Sequence, residues 1–298
     1  MTFTGSDMES RMRDALRLYE GDTRVRDEEG RLCPRRSTDP FWGDEKAYRT
    51  LNTLLYPGTS NEFARICREN GKLNPIFARQ IDKSVEVYCD IFRLMCRGRD
   101  RDGEELVVRR VERKSSLELL KQGQTVSFFS ASKAGYSQAF AEKDGVVLLE
   151  IHVAPHVPCV DFEEALGEEY KRREEREVLL PPFVEFSIEE AAMDGASRKS
   201  VRDMDGGRPL GKYEMKTKGL SDFEWQPLTD DRLEGLREDL REGGEAAAGA
   251  LQAMNRGEWQ QDFSSYVTWK SRLREYLKHR FFQMWRSSIS ENEPQQPA

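Results

Sequence analysis

Glu174-Glu175-Arg176-Glu177-Val178-Leu179-Leu180-Pro181-Pro182-Phe183-Val184-Glu185-Phe186 is a charged run that turns within one residue into a buried strand. Val178 to Leu180 is apolar at every position, as in a strand covered on both faces, and Pro181-Pro182 interrupts it before Phe183 to Ile188 resumes an extended pattern. The spacing predicts extended backbone across Glu175 and Glu177, which puts both carboxylates on one face while Val178 enters the core. Like charges held close raise a pKa and cost free energy unless a cation lies between them. The pair therefore reads either as a receptor for a positive group or as a solvated strand end in a glutamate-rich chain.

Upstream, Gly145 to Val153 is a nearly unbroken apolar run, predicting a strand at the centre of a sheet. Thr125 to Ser132 and the short β-branched Leu106 to Val111 predict two more strands, the latter containing Arg109 and Arg110. Helical spacing marks Lys133 to Phe140, Phe162 to Tyr170, and Trp42 to Tyr56 with Ala47, Leu51, Leu54 and Leu55. Asn74-Pro75 is a helix start, followed by Phe77, Ile81, Val85, Tyr88, Phe92 and Met95 at intervals of three and four, with Gly98 as the stop.

The ends of the chain read differently. Residues 1–36 mix Arg, Asp and Glu with few large apolar side chains, predicting a charged tail or a single loose helix. From Ala191 to Gly249 the sequence is rich in Gly and Glu, and Asp205-Gly206-Gly207 and Arg241 to Gly244 predict turns. Tyr266 to Trp285 is a basic amphipathic helix: Tyr266, Trp269, Leu273, Tyr276, Leu277, Phe281 and Trp285 form a stripe flanked by Arg272, Arg274, Lys278, Arg280 and Arg286. Such a helix packs on its own protein or docks on a partner or a membrane surface.

Composition excludes several classes. A net charge of -7 argues against nucleic-acid binding through bulk charge. Five cysteines without a Cys-x-x-Cys pair fit reduced thiols, and His152 and His156 lack companions for a metal set. There is no glycine-rich phosphate loop, and three histidines support no Ser/His/Asp arrangement. With no apolar run of membrane length and no secretory-type segment in Met1 to Glu20, the expectation is a soluble protein, cytoplasmic or translocated without a standard signal peptide.

Glu175-Arg176-Glu177-Val178-Leu179-Leu180-Pro181-Pro182-Phe183 resembles the Glu-x-Glu strand entry of mono-ADP-ribosyltransferases of the Arg-Ser-Glu class. Three further stretches resemble the same family in the same order. Tyr48 to Leu55 is similar to its Tyr-x-x-Ile-Asn helix. Val108-Arg109-Arg110-Val111 resembles its arginine strand, with Val108 where tyrosine is usual, and Leu117 to Gly123 resembles the helix and turn that follow. Phe129-Ser130-Ala131-Ser132 resembles its Phe-x-Ser-Thr-Ser strand, with Ala131 in place of threonine.

The resemblance implies an α+β fold of two bent antiparallel sheets forming an NAD cleft, with helices on the N-terminal side. It implies a catalytic domain over 37–192 between the charged tail of 1–36 and a Gly/Glu-rich linker with a helical C-terminal region over 193–298. It assigns Glu177 to stabilising the ribosyl cation, Ser130 to holding Glu177, and Glu175 to the arginine of a target protein. Arg109, with Arg110, Ser132 and Phe140, would bind NAD, Arg93 and Arg97 being alternatives for the arginine. The implied activity is transfer of ADP-ribose from NAD to a protein arginine, in a toxin or effector that uses no metal. NAD glycohydrolysis at the same site and a silent binding module are the alternatives.

Overall fold

The computed structural model describes residues 5–20, 24–26, 32–34, 47–56, 72–97, 103–136, 145–167, 170, 176–193, 211–220, 228–258 and 262–290. Its helices are α1 (Gly5–Tyr19), α2 (Ala47–Leu55), α3 (Ile76–Arg79), α4 (Ile81–Arg97), α5 (Lys114–Leu120), α6 (Phe162–Leu166), α7 (Asp230–Asn255) and α8 (Ser264–Ser290). Its strands are β1 (Arg24–Arg26), β2 (Leu32–Pro34), β3 (Leu106–Arg113), β4 (Phe129–Ser132), β5 (Val146–Val153), β6 (Val160–Asp161), β7 (Glu177–Leu180), β8 (Val184–Ala191) and β9 (Lys212–Leu220). The class is mixed α+β. Packing divides the chain into a unit of Met1–Leu94 with Gln226–Ala298 and a unit of Met95–Trp225. The expected boundaries at 36/37 and 192/193 come from the resemblance; among the described residues α7 and α8 belong to the helical unit and β9 to the sheet.

In the helical unit, α1 is an integral element and not a loose tail. Met12, Ala15, Leu16, Leu18 and Tyr19 are buried, and Arg11 forks onto Asp90 of α4 at 2.9 and 3.1 Å. A stripe at helical spacing is invisible to a composition averaged over 36 residues. β1 and β2 form an antiparallel ribbon in the same region. The single helix expected after Asn74-Pro75 is two. Asn74 Oδ1 accepts from Ile76 N at 3.0 Å, but Gln80 (φ -107°, ψ 54°) leaves helical space after one turn, so α3 and α4 are separate. All six periodic residues from Phe77 to Met95 are buried, and Phe92 stacks on Phe281 with centroids 4.3 Å apart.

The predicted turn at Arg241 to Gly244 is the interior of the 26-residue helix α7. Glycine there costs about 1 kcal/mol of helix propensity. What it permits is close approach: a Cβ on Gly244 would lie 2.6 Å from the Ala78 carbonyl oxygen, and one on Gly243 would lie 2.6 Å from the Trp269 ring. Gly244→Ala is therefore expected to lower stability by about 1–3 kcal/mol, overpacking outweighing the propensity gain. Urea denaturation checks it, and a raised midpoint would contradict the contact.

α8 buries Tyr266, Trp269, Leu273, Tyr276, Leu277, Phe281 and Phe282 within this unit. Two of its cations close α2: Lys270 Nζ donates to the Tyr56 carbonyl at 2.8 Å and Arg274 Nη1 donates to the Leu55 carbonyl, where helical partners run out. Burial pulls Arg274 down to about 10. Asp82, in the first turn of α4, meets Arg237 and Arg241 of α7 at 2.7 and 2.9 Å. Burial pushes its pKa up, but the hydrogen bonds from Arg241 and Arg237 outweigh this and leave it lowered. A carboxylate lowered in the folded state adds stability above its unfolded pKa, lost as pH falls through the folded value. Asp82→Asn is thus expected to lower the urea midpoint near pH 7, with the difference from wild type shrinking as pH falls through the lowered folded-state value of the carboxylate.

In the second unit the described strands form one seven-stranded sheet in the order β6-β7-β4-β3-β5-β9-β8. This replaces the expected two antiparallel sheets. β3 pairs with β5 along its whole length but with β4 only at Arg109↔Ser132, so the sheet narrows to one pair at that junction. The segment before β4 meets β8 through Gln124↔Glu185, Thr125 N to Val184 O at 2.9 Å and Phe183 N to Thr125 O at 2.8 Å. β5 and β9 run parallel, the one departure from the expected antiparallel pairing among the described strands. Val147, Leu149, Ile151 and Val153 of β5 are buried on the apolar face with Val178 and Leu180 of β7. No helix among the described residues is long and apolar enough to cross a membrane.

Candidate active site

The opposite face of the sheet is polar in a single row. Register pairs Glu177 of β7 with Ser132 of β4, Ser132 with Arg109 of β3, Arg109 with Glu150 of β5, Glu150 with Glu214 of β9, and Glu214 with Glu189 of β8. Paired residues project to one face, so this row carries a carboxylate, a hydroxyl and a guanidinium side by side. Ser130, two residues before Ser132, shares that face. A small apolar cluster of Val111, Tyr136, Val146 and Leu148, with Met193 packed against it, borders the row.

Both oxygens of Glu177 are held by hydroxyls. Ser130 Oγ donates to Oε1, and Tyr170 OH donates to Oε2 at 2.8 Å. Tyr170 is buried and stacks on Phe162 with centroids 5.1 Å apart, which fixes its ring. In the sequence Tyr170 only ends the helical pattern that starts at Phe162, with nothing that marks it for the site. Ser132 is buried, and its Oγ accepts from Ala134 N at 3.1 Å.

The two adjacent arginines separate by strand alternation. Arg109 lies in the row, with Nε and Nη2 each 3.2 Å from Glu150 Oε2. Arg110 points to the other face: Nε bonds Glu112 at 2.7 Å, the guanidinium carbon lies 4.5 Å from the Phe129 ring centroid, and Nη1 donates to the Ser130 carbonyl at 2.5 Å. It ties β4 to β3 beyond their single pair and does not share the face of Glu177, contrary to its expected place beside Arg109. Arg93 pairs with Asp90 of its own helix at 2.6 Å, and Arg97 is exposed at the last turn of α4.

Arg176 has φ +44°, in the left-handed region, so the backbone before Glu177 is not extended. The alternation argument that put Glu175 and Glu177 on one face therefore fails at the residue between them. Arg176 O accepts from Lys133 N at 3.0 Å, anchoring this bend beside the end of β4. Glu175 and Phe140 lie outside the described residues. Lys133 Nζ pairs with Asp161, whose Oδ1 caps α6 through Glu163 N at 2.9 Å. His152 and His156 are engaged separately, with Glu105 Oε2 at 2.9 Å and the Lys218 carbonyl at 2.8 Å.

No family model matches the chain, and no curated protein matches it. Among solved structures, the catalytic domain of VahC from Aeromonas hydrophila is similar at 18% identity over 70% of this chain and 98% of that one, with a TM-score of 0.38. A likeness at this level assigns no family.

Proposed function

We propose that this chain cleaves the bond between nicotinamide and ribose in NAD and transfers the ADP-ribose to an arginine of a target protein. The observation that carries the reading is the hydrogen bond from Ser130 to Glu177 on a sheet face that also presents Arg109. Carboxylate, hydroxyl and guanidinium are the groups such a reaction needs at one place.

Glu177 supplies fixed negative charge. A carboxylate already oriented by Ser130 and Tyr170 meets the positive charge that builds on the sugar, and it stabilises the transition state more than the ground state. Arg109 supplies a planar fork for the diphosphate. As the carbon–nitrogen bond to nicotinamide breaks, its electron pair leaves with nicotinamide. The target guanidinium forms the new carbon–nitrogen bond and gives up a proton, which Glu175 takes. The assignment of Glu175 rests on the Glu-x-Glu sequence. So do the arginine acceptor and the setting of a toxin or effector acting on proteins of another cell.

The test is nicotinamide release from NAD by the purified chain, with and without a cell lysate, beside Glu177→Gln. Release in buffer together with label transfer to lysate protein supports the transferase. Release without transfer makes the chain an NAD glycohydrolase. If wild type neither binds NAD nor releases nicotinamide, the enzyme reading is overturned and the sheet is a binding module.

A further inference from the structure

We propose that Lys133 and Asp161 are positioning residues that set the place of Tyr170 and, through it, the orientation of Glu177. The inference rests on Glu177 being the group that meets the developing cation. The chain leaves β6 at Asp161 and enters β7 at Glu177, and Lys133, the residue after β4, holds both ends. Its Nζ pairs with Asp161, and its backbone N–H donates to the Arg176 carbonyl at 3.0 Å, one step beyond the Ser132↔Glu177 pair. The side chains of Lys133 and Asp161 are 21% and 10% exposed, so the pair is largely shielded from water and holds its geometry better than a surface pair does. Glu163 and Arg176 add a second link between the two ends at 3.7 Å, weak because Arg176 is half exposed.

From Asp161 the constraint passes to Tyr170 in short steps. Oδ2 of Asp161 takes Lys133, while Oδ1 accepts from Glu163 N at 2.9 Å and caps α6. Phe162, the first residue of α6, is fully buried and stacks on Tyr170. Gly167, with φ +76°, ends α6, and its carbonyl accepts from Tyr170 N at 3.0 Å. Ring and backbone of Tyr170 are thus both fixed relative to Asp161, and its hydroxyl reaches Glu177 Oε2 at 2.8 Å. A helix of five residues is too short to hold its own place, so the tie from Asp161 to Lys133 does it. Ser130 reaches Oε1 of the same carboxylate from β4, and Lys133 follows β4 directly. The tie therefore keeps the two donors in register with each other. A carboxylate held at both oxygens has one orientation, whereas one held at a single oxygen turns about its last bond, where the torsional wells are broad.

KM and kcat for nicotinamide release from NAD test this in Lys133→Met and in the double variant Lys133→Met/Asp161→Asn, each made with Tyr170 intact and with Tyr170→Phe. Lys133→Met is expected to lower kcat about tenfold with KM changed by less than about threefold, since orientation of Glu177 acts on the transition state. The double variant leaves no unpaired buried charge and still caps α6 through asparagine, so it serves where Lys133→Met does not fold, and it is expected to lose kcat by a similar factor. Tyr170→Phe alone should lower kcat about tenfold, and adding either change to it should cost less than about threefold more, because the residue they act through is already silent. Three results overturn the inference while leaving the NAD reading intact: kcat within about threefold of wild type in the folded variants, a loss carried by KM in place of kcat, or a loss of about tenfold repeated in the Tyr170→Phe background. Wild type that releases no nicotinamide overturns both.

Discussion

Glu177→Gln is expected to cut nicotinamide release by about 10²–10³-fold while leaving the fold intact. Glutamine keeps the shape and still accepts from one hydroxyl, but it presents an amide where Glu177 offers two acceptor oxygens to Ser130 and Tyr170. What is lost is negative charge beside a developing cation, and preorganised groups of that kind are worth roughly 3–4 kcal/mol. The loss should fall on kcat, with ADP-ribose affinity nearly unchanged, because the effect belongs to the transition state. Activity within about tenfold of wild type would remove Glu177 from the chemistry.

The second large effect separates two neighbours in the sequence. Arg109→Lys keeps the charge but loses the planar fork, and it should weaken ADP-ribose by roughly 10–100-fold, the value of one charge-assisted hydrogen bond of about 1.5–3 kcal/mol. Arg110→Met, one residue away, should leave ADP-ribose affinity within about threefold of wild type. Its guanidinium holds the Ser130 carbonyl and covers Phe129, so its loss should appear as a lower melting temperature and as a kcat decrease transmitted through Ser130. Equal loss of affinity in both variants would contradict the assignment of the two arginines to opposite faces.

The parts of the site legible in the sequence are those fixed by period two. The apolar runs of β5 and β7 and the hydroxyls of β4 announce strands, and alternation then sets which residues share a face. Alternation alone could not choose between Arg109 and Arg110, because the choice depends on which strand lies beside which. Arg176 carries no signal either: its left-handed backbone is imposed by tertiary hydrogen bonding, without the glycine that would mark it. β9 escaped notice because Lys212, Glu214 and Lys216 put charges on its polar face, and a strand with three charges at alternate positions looks like a loop in a glutamate-rich region. Gly243-Gly244 misleads for a related reason. Glycine marks both turns and close helix contacts, and only the partner decides which.

The parallel placement of β9 between β5 and β8 has a consequence for fragments of this chain. A fragment ending at Ala191 would contain every described strand that carries a candidate catalytic group. It would nevertheless leave the long apolar strand β5 as an open edge, with unpaired backbone donors and acceptors ready to recruit a second chain. Such a piece would be prone to self-association. The smallest piece able to close its own sheet runs through Leu220. Because β9 joins from so far along the chain, closing the sheet is a slow, non-local folding step. Until it occurs, β5, the neighbour of the strand that carries Arg109, has one edge uncovered.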